Sequence, residues 1–556
     1  MNKYFHFNER TLKWLFIAAA VVLGAIQAWT GRYAMNPDGI SYLDVGDAFL
    51  RGDWRSGINA HWSPLYALLL STPLFLFSIS PYGEFAFVHL VNFFIYLAAL
   101  AAFDFLLRAL IDSREENFRT PLLIFGYALF LVSSLRFITL SLVTPDMLVA
   151  AFIFLIAGLL VRIRGGAHNW SIFFLLGTAL GFGYLAKAPL FLIAFVFLGV
   201  GIFAVGDIRK VIPRISFAFA VFMLITSLFI VPLSLLKNRF TFGDSGKINY
   251  AWQINNIPYI YWQGEGSDNG VPLHPMRKVF DHPPVYEFAT PIGGTYPPWY
   301  DPSYWSEGGI IHFNMRGHLE ALLRSGRLLY EELSTAQFGS IAVGLLALIL
   351  VSGQWRRPKT FFDDWLLLVP ALAGLGMYAL VLVRMRYVAP FFVLMGLSIF
   401  SRIRLPASRD AEHVGMSITC AMVFMIMILL AVSALAQIMR ETTDEQGKIA
   451  RTLQEAGIQS GDRVAVIGGS FNGWSAFWAR LLKVKIVAEI PSTNEARLFW
   501  ENENTYARVQ DIFSKTGARV MVAELLPDKA HTKDWQRVGQ AGYYFFSTST
   551  VTNMPR

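Results

Sequence analysis

Residues 36–44 read Asn-Pro-Asp-Gly-Ile-Ser-Tyr-Leu-Asp and set two carboxylates, Asp38 and Asp44, in a short stretch directly after an apolar run. Pro37 presets the start of a helix and puts Asp38 in its first turn, where the helix dipole favours a negative charge. Capping is one role for that acid. General-base chemistry is the other: a carboxylate at an apolar–aqueous boundary can take a proton from a hydroxyl or an amine. Tyr42, between the two acids, is a candidate substrate contact, whereas Asp47 and Asp53 read as solvated loop charges. A third acid, Asp146 in Thr144-Pro145-Asp146-Met147, stands at the mouth of another apolar run. It can serve as a helix cap and as a functional acid at once, since charge beside a membrane span is costly to keep. Two cationic positions complete the set: Lys187 in Leu185-Ala186-Lys187-Ala188-Pro189, and Arg384-Met385-Arg386-Tyr387. Arg grips phosphate oxygens with a two-pronged fork, and Lys supplies a point charge.

Histidines offer less. His274, His282, His312 and His318 have no metal-ligand spacing, and His282, between Asp281 and Pro283-Pro284, reads as part of a turn that could touch substrate. The single cysteine, Cys420, lies in an apolar run, which excludes an intrachain disulfide and a Cys-based zinc site. No cofactor is identified from these residues, and a divalent metal stays open.

The elements that position these groups are membrane helices. Hydrophobic residues make up 54% of the 556-residue chain and charged residues only 15%, too little charge to cover a soluble protein of this size. The net charge of +8 does not indicate nucleic acid, because Lys and Arg sit mostly in short loops between apolar runs. Spans are expected at 12–30, 86–107, 120–136, 146–163, 171–185, 188–206, 214–236, 337–352, 363–383, 387–401 and 415–438, about eleven in all. The first reads as a retained helix, for it is long enough to span and no small-x-small cleavage site is convincing. With the N-terminus inside, the inside loops hold Arg108, Arg114 and Arg119; Arg162 and Arg164; Arg209, Lys210 and Arg214; Arg356, Arg357 and Lys359; and Arg402, Arg404 and Arg409. Each inside loop is basic, as orientation by positive charge requires.

That count places Pro64–Ser80 in the interface or as a re-entrant helix, since one more span would invert the downstream loops. It also makes Ala186–Lys187 a tight outer turn. The Gly31–Ser63 loop, the Lys237–Thr335 stretch and the tail from about Arg440 then lie outside, and so do the acids and cations named above. Lys187, Arg384 and Arg386 have no orienting role there, and an embedded phosphate would explain why they are kept. Tyr250, Trp252, Tyr259, Tyr261, Trp262, Trp299, Tyr300, Tyr304 and Trp305 crowd the long loop and read mostly as an interfacial belt, with sugar stacking as the alternative. In the tail, strands at Arg463–Ile467, Val484–Ile490 and Arg519–Glu524 alternate with helices at Asn472–Leu482 and Glu501–Thr516. The pattern predicts a small extracytoplasmic α/β domain over 440–556 with a partly parallel sheet. Gly468-Gly469 alone does not make a nucleotide-binding turn.

Asp38 to Asp44, Gly52-Asp53-Trp54, Trp62-Ser63-Pro64-Leu65, Asp146, Ala186-Lys187-Ala188-Pro189 and Arg386-Tyr387-Val388-Ala389-Pro390 occur in the order found in one family. Over residues 1–400 the chain resembles the membrane glycosyltransferases of the GT-C superfamily. The resemblance is to the branch of dolichyl-phosphate-mannose protein mannosyltransferases and the lipid A aminoarabinose transferase. It implies a polytopic α-helical fold and inverting transfer from a polyprenyl-phosphate-linked sugar donor to a glycan, lipid or protein acceptor. Asp38 takes the place of the base. The chain departs from the pattern at Asp38-Gly39, where relatives often have Asp-Glu, and at Trp62-Ser63-Pro64, where many have Lys-Pro-Pro. The first departure displaces or loses a second first-loop carboxylate; the second removes one phosphate-binding cation and puts more weight on Lys187 and Arg386. A polymerase or ligase using diphosphate-linked donors is the nearest rival. A lipid-linked sugar transporter would place polar residues through the mid-membrane and usually shows an internal repeat, and neither feature appears. The setting this implies is a bacterial-type inner membrane with its lipids, and nucleic acid is not an expected partner.

Overall fold

A computed structural model describes residues 8–112, 116–258, 260–264, 269–274, 276–288, 293–304, 307–353, 365–406, 408–468, 474–492, 494–495, 499, 503–524, 535–538 and 543–547. Tyr259, Trp305, Gly469, Asn472 and the basic loop of Arg356, Arg357 and Lys359 lie outside the described residues. The chain divides into two compact units. One comprises Met1–Gly31, His89–Phe242 and Asn314–Glu441; the other comprises Arg32–Val88, Gly243–Phe313 and Thr442–Arg556.

The first unit is built of apolar helices. Glu9–Thr30, Pro81–Ile111, Phe118–Ile138, Asp146–Arg164, Ile208–Leu236 and Arg409–Met439 are each long and apolar enough to cross a membrane. Trp170–Ala186, Leu190–Phe203, Trp365–Ala379 and Met385–Phe400 are shorter apolar helices, and Ala336–Ser352 follows Met315–Leu333 at a bend of 86°. Each expected span therefore contains a helix, although those at 188–206 and 363–383 end earlier, at Phe203 and Ala379. Met315–Leu333, expected to be outer loop, is a helix as well. It buries its small residues Gly317, Ala321 and Ser325 and leaves Leu319, Leu322, Leu323 and Tyr330 exposed.

Two local features shape this unit. The helix Glu116–Val132 widens into a π-helix at Ser133–Ile138, which ends at Thr139 with φ 62°. Widening removes ordinary i→i−4 partners from the backbone. The buried amide of Gln27 supplies replacements, donating to the Leu135 carbonyl at 2.9 Å and accepting from the Leu140 N–H at 2.8 Å. At the other end, Asp104 is held by Lys13 at 3.0 Å, by Arg108 and by the Tyr127 hydroxyl at 2.6 Å, so this acid inside an apolar helix is fully paired.

The second unit is built around a mixed sheet. Its strands are β1 (Arg277–Asp281), β2 (Pro284–Glu287), β3 (Arg463–Ile467), β4 (Lys485–Ile490), β5 (Val520–Glu524), β6 (Gln536–Val538) and β7 (Tyr543–Ser547), in the order β1-β2-β4-β3-β5-β7-β6. The central trio β4, β3, β5 is parallel, and the flanking strands are antiparallel. Val464, Ala465, Val466 and Ile467 are all buried, the continuous apolar run that a parallel strand covered on both faces requires. The helices Trp474–Leu482 and Glu503–Lys515 fall between these strands in sequence, so the expected α/β alternation of the tail is present. The sheet is not completed by the tail alone, however: β1 and β2 come from the long loop, where no strand was expected because each is short and bounded by Pro and Gly.

The long loop is ordered by its aromatics. Trp262 and Tyr304 are fully buried, and Trp252, Trp299 and Tyr300 are nearly so. Trp252 and Trp299 stack with centroids 6.3 Å apart. These rings therefore form core, not an interfacial belt; a polar tip on an apolar body suits either place, and packing decided it. Pro64–Leu76, expected at an interface or re-entrant, is a helix of this unit packed on Pro37–Leu50. Gly46 permits the approach, since a β-carbon there would collide with the Ser71 side chain and the Ala67 carbonyl.

Candidate functional site

In the first unit, three of the expected residues converge. Asp146 is the first residue of the helix Asp146–Arg164. Its side chain is 2% exposed and receives Lys187 Nζ at 2.6 Å and Arg386 Nε at 3.2 Å. The local sequence explains each placement. Pro189 cannot extend the preceding helix and disfavours helical geometry at Ala188, so Trp170–Ala186 stops, Lys187 turns to extended backbone (φ −159°), and Leu190–Phe203 begins. Lys187 thus projects from a helix C-terminus, the end a cation favours, and Asp146 sits at an N-terminus, the end an anion favours. Arg386 lies in the first turn of Met385–Phe400, where N–H groups point outward and an anion is welcome. Tyr387 backs both cations: Lys187 Nζ lies 3.6 Å from its ring centroid and the Arg386 guanidinium carbon 5.2 Å.

Chemically, one buried carboxylate stands between two cations. Asp146 holds the two cations in place. Lys187 and Arg386 remain partly exposed, at 18% and 21%. They can therefore present positive charge to an anion from outside. Arg384, expected to assist, caps the helix Met385–Phe400 and is exposed.

In the second unit, Asp38 is where Pro37 was expected to put it, half-buried in the first turn of Pro37–Leu50. Asp44 is a correction. It is not an available base, because it accepts from the Thr295 N–H at 2.7 Å, the Thr295 hydroxyl at 2.9 Å and Arg480 Nη1 at 2.7 Å. Gly294 makes this possible: it has φ 64°, and a β-carbon there would come 2.9 Å from Asp44 Oδ2. Burial raises the Asp44 carboxyl, and Arg480 and the Thr295 N–H pull against it. Asp47 is not a solvated charge either, lying 2.9 Å from Arg480 and 3.4 Å from Lys483. Burial alone would raise it, but Arg480 and Lys483 outweigh that and hold it below the usual carboxylate range.

One further expectation is corrected, and one turn lies where it was expected. Tyr42 is 5% exposed and meets Trp62 and Tyr66 edge-on, so it is core and not a substrate contact. His282 is exposed in the turn between β1 and β2, a position set by hairpin geometry. Asp53 caps the short helix Trp54–Gly57 through Ser56 N–H at 3.2 Å, a surface role close to the one expected.

Sequence reasoning missed Glu84, Thr295, Arg480 and Lys483. Arg480 pairs with Glu84 through Nε at 2.6 Å and Nη2 at 3.2 Å, and Lys483 reaches Glu84 at 2.7 Å. The available signals were an acid heading an apolar helix at Glu84 and two cations at the end of a short amphipathic helix at Arg480 and Lys483. Nearby, Pro37, Ile40, Ser41, Asp44, Tyr296, Trp299 and Ala476 line a small recess. Among the described residues no group of three or more His, Cys, Asp or Glu side chains could hold a metal ion.

Apolar helices long enough to cross a membrane, one group of them carrying an acid-and-cation site, are joined in one chain to segments with a mixed sheet; the chain is a multi-pass membrane protein, and solved structures share this fold. The structure of ArnT from Cupriavidus metallidurans bound to undecaprenyl phosphate matches over 98% of this chain and 99% of its own, with a TM-score of 0.54 at 13% identity. The oligosaccharyltransferase of Archaeoglobus fulgidus in the apo form matches over 94% of this chain and 70% of its own, with a TM-score of 0.54 at 14% identity. Its complex with Zn and sulfate gives 0.52 over 92% and 67%, at 14% identity. At such identities the likeness is one of fold. No protein-family model and no curated protein matches the sequence.

Proposed function

We propose that the chain is an inverting glycosyltransferase that moves a sugar from a polyprenyl-phosphate donor to a glycan, lipid or protein acceptor. The basic loops between the helices support a reaction on the non-cytoplasmic face of a bacterial-type inner membrane. The observation that carries the reading is the Asp146–Lys187–Arg386 cluster: two cations at helix ends, fixed by one buried carboxylate and backed by Tyr387. That the ArnT neighbour was solved with undecaprenyl phosphate supports a lipid phosphate as the anion they meet.

In the reaction, Asp38 takes the proton of the acceptor hydroxyl or amine as its oxygen or nitrogen attacks the anomeric carbon. The bond from that carbon to the phosphate oxygen breaks, and polyprenyl phosphate leaves with an added negative charge. Lys187 and Arg386 stabilise that charge as it develops, which lowers the barrier and does more than bind the donor. Turnover of polyprenyl-phosphate-linked sugars by purified protein in nanodiscs tests the reading, and the absence of turnover with any such donor, in protein that binds undecaprenyl phosphate, would refute it. A second reading is that of a polymerase or ligase, transfer from a diphosphate-linked donor. Parallel assays with mono- and diphosphate-linked sugars separate the two.

A further inference from the structure

The carboxylates of Pro37–Leu50 and the cations of Trp474–Leu482 meet in a cluster that the proposed reaction does not use. We infer that Arg480 is a positioning residue: its grip on Asp44, Asp47 and Glu84 sets the rotation of the helix Pro37–Leu50 and thereby the direction of Asp38. The inference rests on the reading of Asp38 as base.

The geometry of the grip is specific. The Arg480 side chain is 2% exposed, and its donors are spread over three acids. Nε and Nη2 form a fork on Glu84, and Nη1 bridges Asp44 at 2.7 Å and Asp47 at 2.9 Å. Asp44 and Asp47 are three residues apart, neighbours on one helix face. Asp38 is nine residues before Asp47, two and a half turns at about 3.6 residues per turn, so it points away from the face that Arg480 holds. A helix held at Asp44 and Asp47 cannot turn about its axis, and Thr295 fixes Asp44 from a further segment.

Charge explains why the grip requires Arg480. Three carboxylates meet two cations, and Lys483 is 33% exposed. Without the guanidinium, three acids in a buried cluster face one partly solvated ammonium, and their repulsion drives the helix face away from its seat. A lysine at 480 supplies the charge without the fork, so it restores the grip only in part. The tail on this account aims the base without touching substrate.

The test uses the full-length protein in nanodiscs, with Arg480→Gln, Arg480→Lys and Lys483→Gln. Hydrogen exchange of the 37–50 amides is expected to rise by about tenfold or more in Arg480→Gln, while β3, β4 and β5 stay protected. Turnover is expected to fall with it, kcat by about tenfold or more and donor KM by no more than about threefold, because donor binding is untouched. Arg480→Lys should lie between wild type and Gln in both readouts. Should Arg480→Gln fail to fold, Arg480→Lys and Lys483→Gln carry the same test on a smaller scale. Wild-type exchange over 37–50 in a folded Arg480→Gln, or in Arg480→Lys where Gln does not fold, overturns the inference, as does a rise in KM with kcat unchanged. Increased exchange in a protein whose wild type turns over no polyprenyl-phosphate sugar would instead uphold the clamp and refute the reaction.

Discussion

Neutralising Asp146 separates the two roles that its cluster combines. In Asp146→Asn the amide keeps the shape of the side chain and one acceptor, but the charge is lost. Lys187 Nζ, now 2.6 Å from Oδ1, and Arg386 Nε, 3.2 Å from Oδ2, are left with no shared counter-charge. Breaking a buried pair by removing one partner costs about 3–5 kcal/mol, because the charge left behind cannot recover its water. Here both cations are about one-fifth exposed, so they regain part of their hydration and the lower end of that range applies. A loss of about 3 kcal/mol corresponds to roughly a hundredfold in the folding equilibrium. The assay is thermal unfolding in detergent followed by tryptophan fluorescence, with and without undecaprenyl phosphate. The variant should unfold at a lower temperature than wild type. If the cations bind phosphate, the lipid should raise the midpoint of the variant by more than it raises that of wild type, since it replaces the missing counter-charge. An unchanged midpoint would refute the energetic argument, and a variant that no longer responds to the lipid would refute the phosphate site.

The remaining expectations are simpler. Asp38→Asn should abolish sugar transfer while unfolding and donor binding stay near wild type; activity within a few-fold of wild type removes it as base. Lys187→Ala should lower kcat by about 2–4 kcal/mol of transition-state stabilisation, and Arg386→Lys should recover only part of what Arg386→Ala loses, for want of the fork, both read from single-turnover kinetics. Asp47, held low in the folded protein, contributes stability that is present above its unfolded value of about 3.9 and is lost as pH falls through its lower folded value. The difference in unfolding midpoint between wild type and Asp47→Asn should therefore be constant near neutrality and shrink below about pH 4, and a difference independent of pH would contradict this. Reporter fusions at Arg409 and at the C-terminus should report opposite sides of the membrane; the same side for both would show that the expected spans were miscounted.

The sequence by itself determined the apolar helices. Apolar runs of span length have one stable backbone solution away from water, and Pro37, Pro145 and Pro189 mark where three of the elements begin because proline constrains its own backbone and that of its predecessor. It also marked Asp146, Lys187 and Arg386 as charges that needed a reason to exist beside apolar runs, and the structure joins those three. What it could not settle was which acids a distant cation takes. Asp38, Asp44 and Asp47 belong to one short segment, and it is Arg480, more than four hundred residues later, that takes Asp44 and Asp47. In the same way Tyr42 reads as a substrate contact and Trp299 and Tyr300 as part of an interfacial belt, and only packing shows them to be core. Chain neighbours dictate local backbone, whereas the state of a carboxylate or a ring depends on what the fold brings to it from far along the chain, and that pairing is written in no local pattern.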